Sequence, residues 1–202
     1  RMNTKERIFE AALTLFSQKG FNAVSIREIT GETSLTVAAF YNHFKSKNEL
    51  LQAIYDHYMQ LYVQTKPDCE KLLDQFNPQE LLAHLAKSYV QAMRNEKLMK
   101  LTRIILMEQY TNKTAGDIAF RDRQRLLAFM EELFAAMHAR NLITAKDPRQ
   151  AGKLMGYIYL GFASDNIYHS FLEERDPDEI VKEQTALVAR FMKEIMPPAS
   201  AS

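Results

Sequence analysis

Eight residues in one short stretch carry the side chains best suited to meeting a polyanion: Val37, Ala38, Ala39, Tyr41, Asn42, His43, Lys45 and Lys47. Tyr41, His43, Lys45 and Lys47 offer donors where the phosphates of a nucleic acid would lie. Ala38 and Ala39 are small enough to let a helix approach a duplex closely. Val37 offers apolar contact to thymine methyl groups. Phosphate contacts fix register and base contacts give sequence choice, so the stretch holds both kinds of group.

Such residues need elements to aim them. Ser25 and Glu28 have the spacing of a capping box, which starts a helix at 25. Val24, Ile26 and Ile29 give that helix an apolar stripe, and Gly31 lies near its end. Ser34 or Thr36 caps a second helix, expected over 36–44, with Leu35, Phe40 and Phe44 facing inward. The eight residues above fall mainly on its other positions. Two short helices crossing at a tight turn form a helix-turn-helix, whose second member fits the major groove. Ser25, Arg27 and Thr36, at the two helix starts, complete the expected DNA contact set. The pattern by itself fits a small helical hairpin inside an ordinary bundle equally well.

The segments TKERIFEAALTLFSQKGFNAVSIREI and LTVAAFYNHFKSKNELL resemble the DNA-binding domain of the TetR family of bacterial transcriptional regulators. The shared features are a first helix ending in Gly20-Phe21, an aromatic-rich second reading helix, and the Phe-x-Ser-Lys-x-x-Leu run from Phe44 to Leu50. The resemblance covers about the first 60 residues. Two positions depart from the family pattern: Ser34 stands where a Gly is usual in the turn, and Val37 where a Lys or polar residue is common. The resemblance implies an all-α protein with an N-terminal three-helix head over 1–47, a linking helix over 48–66, and a larger ligand-binding and dimerisation domain over 48–202. It also implies that Lys47 meets the DNA backbone, although on charge alone a solvated lysine is the plainer reading.

Composition sets the outer limits. The 202 residues are 47% hydrophobic and 25% charged, the balance of a folded globular chain. The net charge is only +1. Residues 1–50 hold seven Lys/Arg against five Asp/Glu, and the remainder nineteen against twenty. DNA affinity must therefore come from placed contacts doubled by dimerisation, since no broad basic surface exists to supply it. No apolar run reaches the roughly 18–20 residues that span a bilayer, and no signal-peptide pattern opens the chain. Arg1 ahead of Met2 reads as a leftover of expression. One cysteine, Cys69, cannot form an internal disulfide, so a cytoplasmic location without membrane contact is expected.

The rest of the chain reads as helices. Thr4 caps a first helix ending at Gly20. Ser46 and Glu49 open the fourth helix, which Pro67 limits. Asn77-Pro78-x-Glu80 opens another, Asn95 marks a break, and the next helix runs to about Tyr110. Residues 111–117 are expected as a loop and 118–140 as a long amphipathic helix. Asp147-Pro148 and Asp176-Pro177 open the last two helices, and Pro197-Pro198 closes the second of them before a small polar tail. Gly152, Gly156 and Gly161 permit close helix approach. With the final helix they suggest a twofold four-helix interface in a homodimer, as the family resemblance also implies. The alternative is that both helices only cap a monomer core.

A cavity for a small, largely apolar effector is expected in the second domain. Its walls are drawn from Met99, Arg103, Met107, Tyr110, Phe129, Met130, Phe134, Met155, Tyr159, Phe162, Asn166 and His169. Arg103, Tyr110, Asn166 and His169 would set the ligand's orientation. About half of these side chains are expected to be core alone, and Asp165 with His169 can pair as i,i+4 neighbours. No His-Glu-x-x-His, helical Glu-x-x-His pair or glycine-rich phosphate loop is present, and the five histidines lack metal-ligand spacing. No catalytic residue, metal or cofactor is expected. The sequence thus points to a non-enzymatic, ligand-responsive regulator of palindromic double-stranded DNA, most naturally a repressor. A ligand-independent or protein-controlled DNA-binding protein, and a helical enzyme or carrier, are the alternatives.

Overall fold

The computed structural model describes residues 2–62, 67–172 and 175–195. The expected closure at Pro197-Pro198 and the tail beyond it lie outside them. Ten helices and no strand occur among the described residues. They are α1 Thr4–Lys19, α2 Ile26–Glu32, α3 Val37–Tyr41, α4 Lys47–Tyr62, α5 Cys69–Gln75, α6 Pro78–Arg94, α7 Glu96–Glu108, α8 Lys113–Ala139, α9 Pro148–Leu172 and α10 Pro177–Ile195.

Local chemistry sets these boundaries. The cap of α1 is Asn3, where Thr4 was expected. Asn3 Oδ1 accepts from Glu6 N at 2.9 Å while Glu6 Oε2 accepts from Asn3 N at 2.9 Å. Two otherwise unpaired amides are satisfied at once, which Thr4 as a cap would not achieve with Glu6. Gly20 stops α1 at φ +81°, a conformation that disfavours side chains. The helix α3 is shorter than the expected 36–44. The reason is the start of α4: Glu49 Oε2 takes the Lys45 amide at 2.6 Å and Ser46 Oγ takes the Glu49 amide at 3.1 Å. Residues 42 and 43 are left as a turn, the Asn42 amide donating to the Ala38 carbonyl and those of His43 and Phe44 to the Phe40 carbonyl. The expected loop over 111–117 shrinks because Asn112 Oδ1 accepts from Ala115 N at 3.2 Å, so α8 begins five residues before 118, at Lys113.

The chain packs as two compact units, one of Arg1–Thr65 with Asn95–Phe120, the other of Lys66–Arg94 with Arg121–Ser202. The first unit thus contains α4 and α7 beside the three N-terminal helices. Its core joins Ile8, Phe16, Ile29, Phe40, Phe44, Leu50 and Ile54 to Leu101, Ile104 and Ile118. Lys97 Nζ reaches Glu10 at 2.6 Å and Lys100 Nζ reaches Thr14 at 3.2 Å, fastening α7 to α1. The second unit is cored by Cys69, Leu81, Met130, Leu133, Phe134, Met137, Met155, Val188 and Met192.

The glycines of α9 divide by role. A methyl group at Gly152 would overlap the Met130 carbonyl oxygen, and one at Gly156 would lie 2.8 Å from Leu127 Cδ2. Both serve the approach of α9 to α8 within the chain. A methyl at Gly161 would meet nothing within 4 Å.

Candidate nucleic-acid interface

The first unit builds its exposed edge around the turn between α2 and α3. Ser25 Oγ accepts from Glu28 N at 3.2 Å, and Glu28 Oε2 accepts from Ser25 N at 2.7 Å. The Ser25 amide, with the Ser25 hydroxyl and Lys19 nearby, holds the Glu28 carboxyl below the usual carboxylate range. Ser34 then turns the chain with φ +52°. That is the left-handed region usually left to Gly or Asn, a physical reason for the Gly expected in this turn. Arg7 donates to the Thr33 carbonyl from α1, pinning the turn. Thr36 caps α3, its hydroxyl accepting from Ala39 N at 3.1 Å.

Burial of Phe40 and Phe44 at 0% and 3% exposure fixes which way α3 faces. Tyr41 is 54% exposed and packs edge-on against Phe40, with ring centroids 5.5 Å apart. Ser25, Arg27, Thr36, Val37, Ala38, Asn42, His43 and Lys45 are exposed, and Ala39 is half-buried. These positions form the outward edge of one small unit. The hydroxyls of Ser25 and Thr36 are already engaged in helix capping.

Lys47 is different. Its ammonium donates to the carbonyls of Phe21 at 2.8 Å and Val24 at 2.7 Å, and lies 4.2 Å from the Phe21 ring centre. Two of its three protons therefore fasten the loop between α1 and α2. Phe21 and Val24 were not expected to have this role. The Gly-Phe sequence at 20–21 marks the turn but does not show which carbonyls it presents to a residue 26 positions later.

The residues expected around an effector distribute unevenly. Phe134, Met155, Tyr159, Phe162 and Asn166 belong to the second unit. Phe134 and Met155 are core, at 3% and 1% exposure. Tyr159 and Phe162 pack edge to face at 6.1 Å. Asn166, fully buried, donates to Tyr89 Oη and Gln184 Oε1, each at 3.0 Å, and accepts from Gln184 Nε2 at 2.9 Å. His169 is half-buried beside Tyr168, 5.4 Å between ring centres. Arg103, Met107 and Tyr110 belong to the first unit. Tyr110 was expected on a cavity wall but is 87% exposed, because α7 ends at Glu108 and the residue falls in the turn beyond. Tyr89 and Gln184 were missed as polar partners. Gln184 interrupts the buried register Val181, Val188, Met192 on α10, a legible sign that its amide has an inner partner.

No described helix is long and apolar enough to cross a membrane. Among the described residues no group of His, Cys, Asp and Glu could hold a metal ion.

Residues 8–54 match the family model described as bacterial regulatory proteins, tetR family. The HTH-type transcriptional regulator YerO of Bacillus subtilis, itself uncharacterised, is 34% identical over 107 residues, which are 52% of this chain and 37% of YerO. The chain thus spans little more than a third of that relative's length. Among solved structures, a transcriptional regulator of Aquifex aeolicus aligns over 94% of this chain and 99% of its own, with TM-score 0.60 and 25% identity. NalD of Pseudomonas aeruginosa aligns over 96% of both chains, with TM-score 0.61 and 24% identity.

Proposed function

We propose that this chain, whose residues 8–54 match the TetR family of bacterial regulatory proteins, is a member of that family and a DNA-binding transcriptional regulator working as a homodimer. Residues 1–47 are the reading head, α4 is its link, and residues 48–202 carry dimerisation and effector binding. The helix α3 enters the major groove. Val37, Ala38 and Ala39 face bases, while Tyr41, Asn42, His43, Lys45, Arg27 and the third proton of Lys47 serve the backbone. Two copies read the half-sites of a palindrome.

The observation that carries this reading is the exposed edge at 36–43, set on a buried Phe40–Phe44 pair inside the stretch that matches the family model. Gel retardation with a randomised duplex pool tests it. A selected palindrome should be retarded, and Tyr41→Ala, with its melting temperature retained, should bind it at least about tenfold more weakly. The absence of any selected sequence overturns the reading.

Dimerisation is supported by an outward apolar row on α9 and α10. Leu154, Tyr157, Tyr168, Leu172 and Leu187 are each 50% or more exposed. Beside them an open groove of about 420 Å3 runs between Ile158, Leu187 and Phe191. A second copy covering this row makes a four-helix seam. Repression lifted by a small apolar effector is the mode that fits best, and NalD is described as the secondary repressor of the MexAB-OprM multidrug efflux pump. For a ligand to release DNA it must bind two conformations unequally.

One observation favours a second reading, in which no small effector takes part. Two interior spaces of the second unit are hardly wide enough anywhere for a water molecule.

A further inference from the structure

Tyr89, Asn166 and Gln184 bring polar groups together within a largely apolar part of the second unit. Counting protons shows what they leave unused. Both Asn166 amide protons are given away, to Tyr89 Oη and Gln184 Oε1, and Asn166 Oδ1 accepts from Gln184 Nε2. Tyr89 keeps its own hydroxyl proton, and Gln184 keeps a second amide proton. Among the described residues neither of these donors meets an acceptor. Burial raises the Tyr89 pKa against the opposing bond from Asn166, so the phenol holds its proton at neutral pH.

The spaces beside these donors are uncharged. Tyr89 and Gln184 line the first with Ala86, Phe162, Thr185 and Val188, and Tyr159 separates it from a second lined by Leu81, Met130, Phe134, Met137, Met155 and Met192. No Asp, Glu, Lys, Arg or His lines either. An ionic ligand would be buried there without a counter-charge, at a cost of several kcal/mol. Four methionines can change rotamer to admit a flexible chain.

Resting on the effector reading above, we propose that the second unit binds a neutral, elongated apolar molecule whose head is a hydrogen-bond acceptor with no proton to donate: a ketone, an ester or a tertiary amide. The carbonyl oxygen takes the protons of Tyr89 Oη and Gln184 Nε2. The chain displaces Tyr159 and lies among Met130, Met137, Met155 and Met192. The Asn166–Gln184 pair remains closed, so binding leaves no buried amide unsatisfied.

Calorimetric titration of the full chain with three probes of one chain length tests this: 2-decanone, decanoate and decylammonium. The ketone should bind at least about tenfold more tightly than either ion. Tyr89→Phe should weaken the ketone about tenfold. Gln184→Glu keeps an acceptor for Asn166 while replacing a donor with a carboxylate, and should abolish ketone binding. Circular dichroism melting checks the fold of each variant, and if Tyr89→Phe does not fold, Gln184→Glu decides. Equal or tighter binding of an ion, ketone affinity unchanged in both variants, or no binding by any probe overturns the proposal. Gel retardation on the selected palindrome separates the two claims. Selective ketone binding with DNA affinity unchanged sustains this site and ends the effector reading. Release of DNA by decanoate, insensitive to Tyr89→Phe, sustains that reading and ends this site.

Discussion

One ammonium group, that of Lys47, holds two loop carbonyls and an aromatic face together. Removing it leaves the Phe21 and Val24 carbonyls without a charged donor. Lys47→Ala should therefore lower the stability of the first unit by about 1–2 kcal/mol, the lower part of the range for charge-assisted bonds because the side chain is half-buried. Thermal melting measures this. The same variant should weaken binding to every DNA sequence and reduce the salt slope by no more than about one. Val37→Gln should do something else: it should alter the palindrome selected from a random pool while leaving the salt slope alone. A selected site identical to that of the parent chain would move the reading face elsewhere. The exposure of 36–43 was legible in sequence because Phe40 and Phe44 claim the buried spacing. The double grip of Lys47 was not, because it depends on chain closure across more than twenty residues. Ser34 is an intermediate case. Its departure from the usual Gly was visible, but the positive φ that gives the departure a physical cost needed coordinates.

Helix types and order followed from capping residues and periodicity, and boundaries moved where two caps competed for the same few residues. That competition shortened α3 in favour of α4, and Asn112 drew α8 forward through Gly116. The short α5 went unpredicted because its only sharp start signal is Asp68, whose Oδ1 accepts from Glu70 N at 3.1 Å and Lys71 N at 3.3 Å. The α9 glycines looked alike in sequence and separate cleanly by what surrounds them. Gly152→Ala forces a methyl against backbone and should destabilise the second unit by at least 1–3 kcal/mol, roughly the cost of overpacking. Gly161→Ala meets open space and should stabilise the helix by about 1 kcal/mol through propensity. If Gly161 is the crossing point of the proposed seam, that variant also dissociates more readily. Sedimentation equilibrium beside melting curves reads both effects, and a Gly161→Ala chain that melts higher and associates as before would move the seam off this position.

At the scale of the molecule, acid acts on the first unit. Burial, with Lys97 nearby and against the opposing pull of Glu10, lowers the pKa of His57, whose ring packs edge-on against Phe9 at 5.4 Å. Below its ordinary value near 6.5 the unfolded chain therefore takes up the proton more readily than the folded one. Stability should be level above about pH 6.5 and fall as pH drops through and below it, and His57→Gln should flatten that fall between pH 7 and 5.5. Glu28 adds to the loss only at lower pH, since its carboxylate is stabilising above its unfolded pKa and ceases to be so as it protonates. Cys69 sits in the core of the second unit as the one thiol of the chain. Alkylation by a maleimide can therefore clock how often that unit opens, with no engineered label. Its rate, followed while acid loosens the helices around His57, reads whether the two units breathe in concert or each on its own schedule.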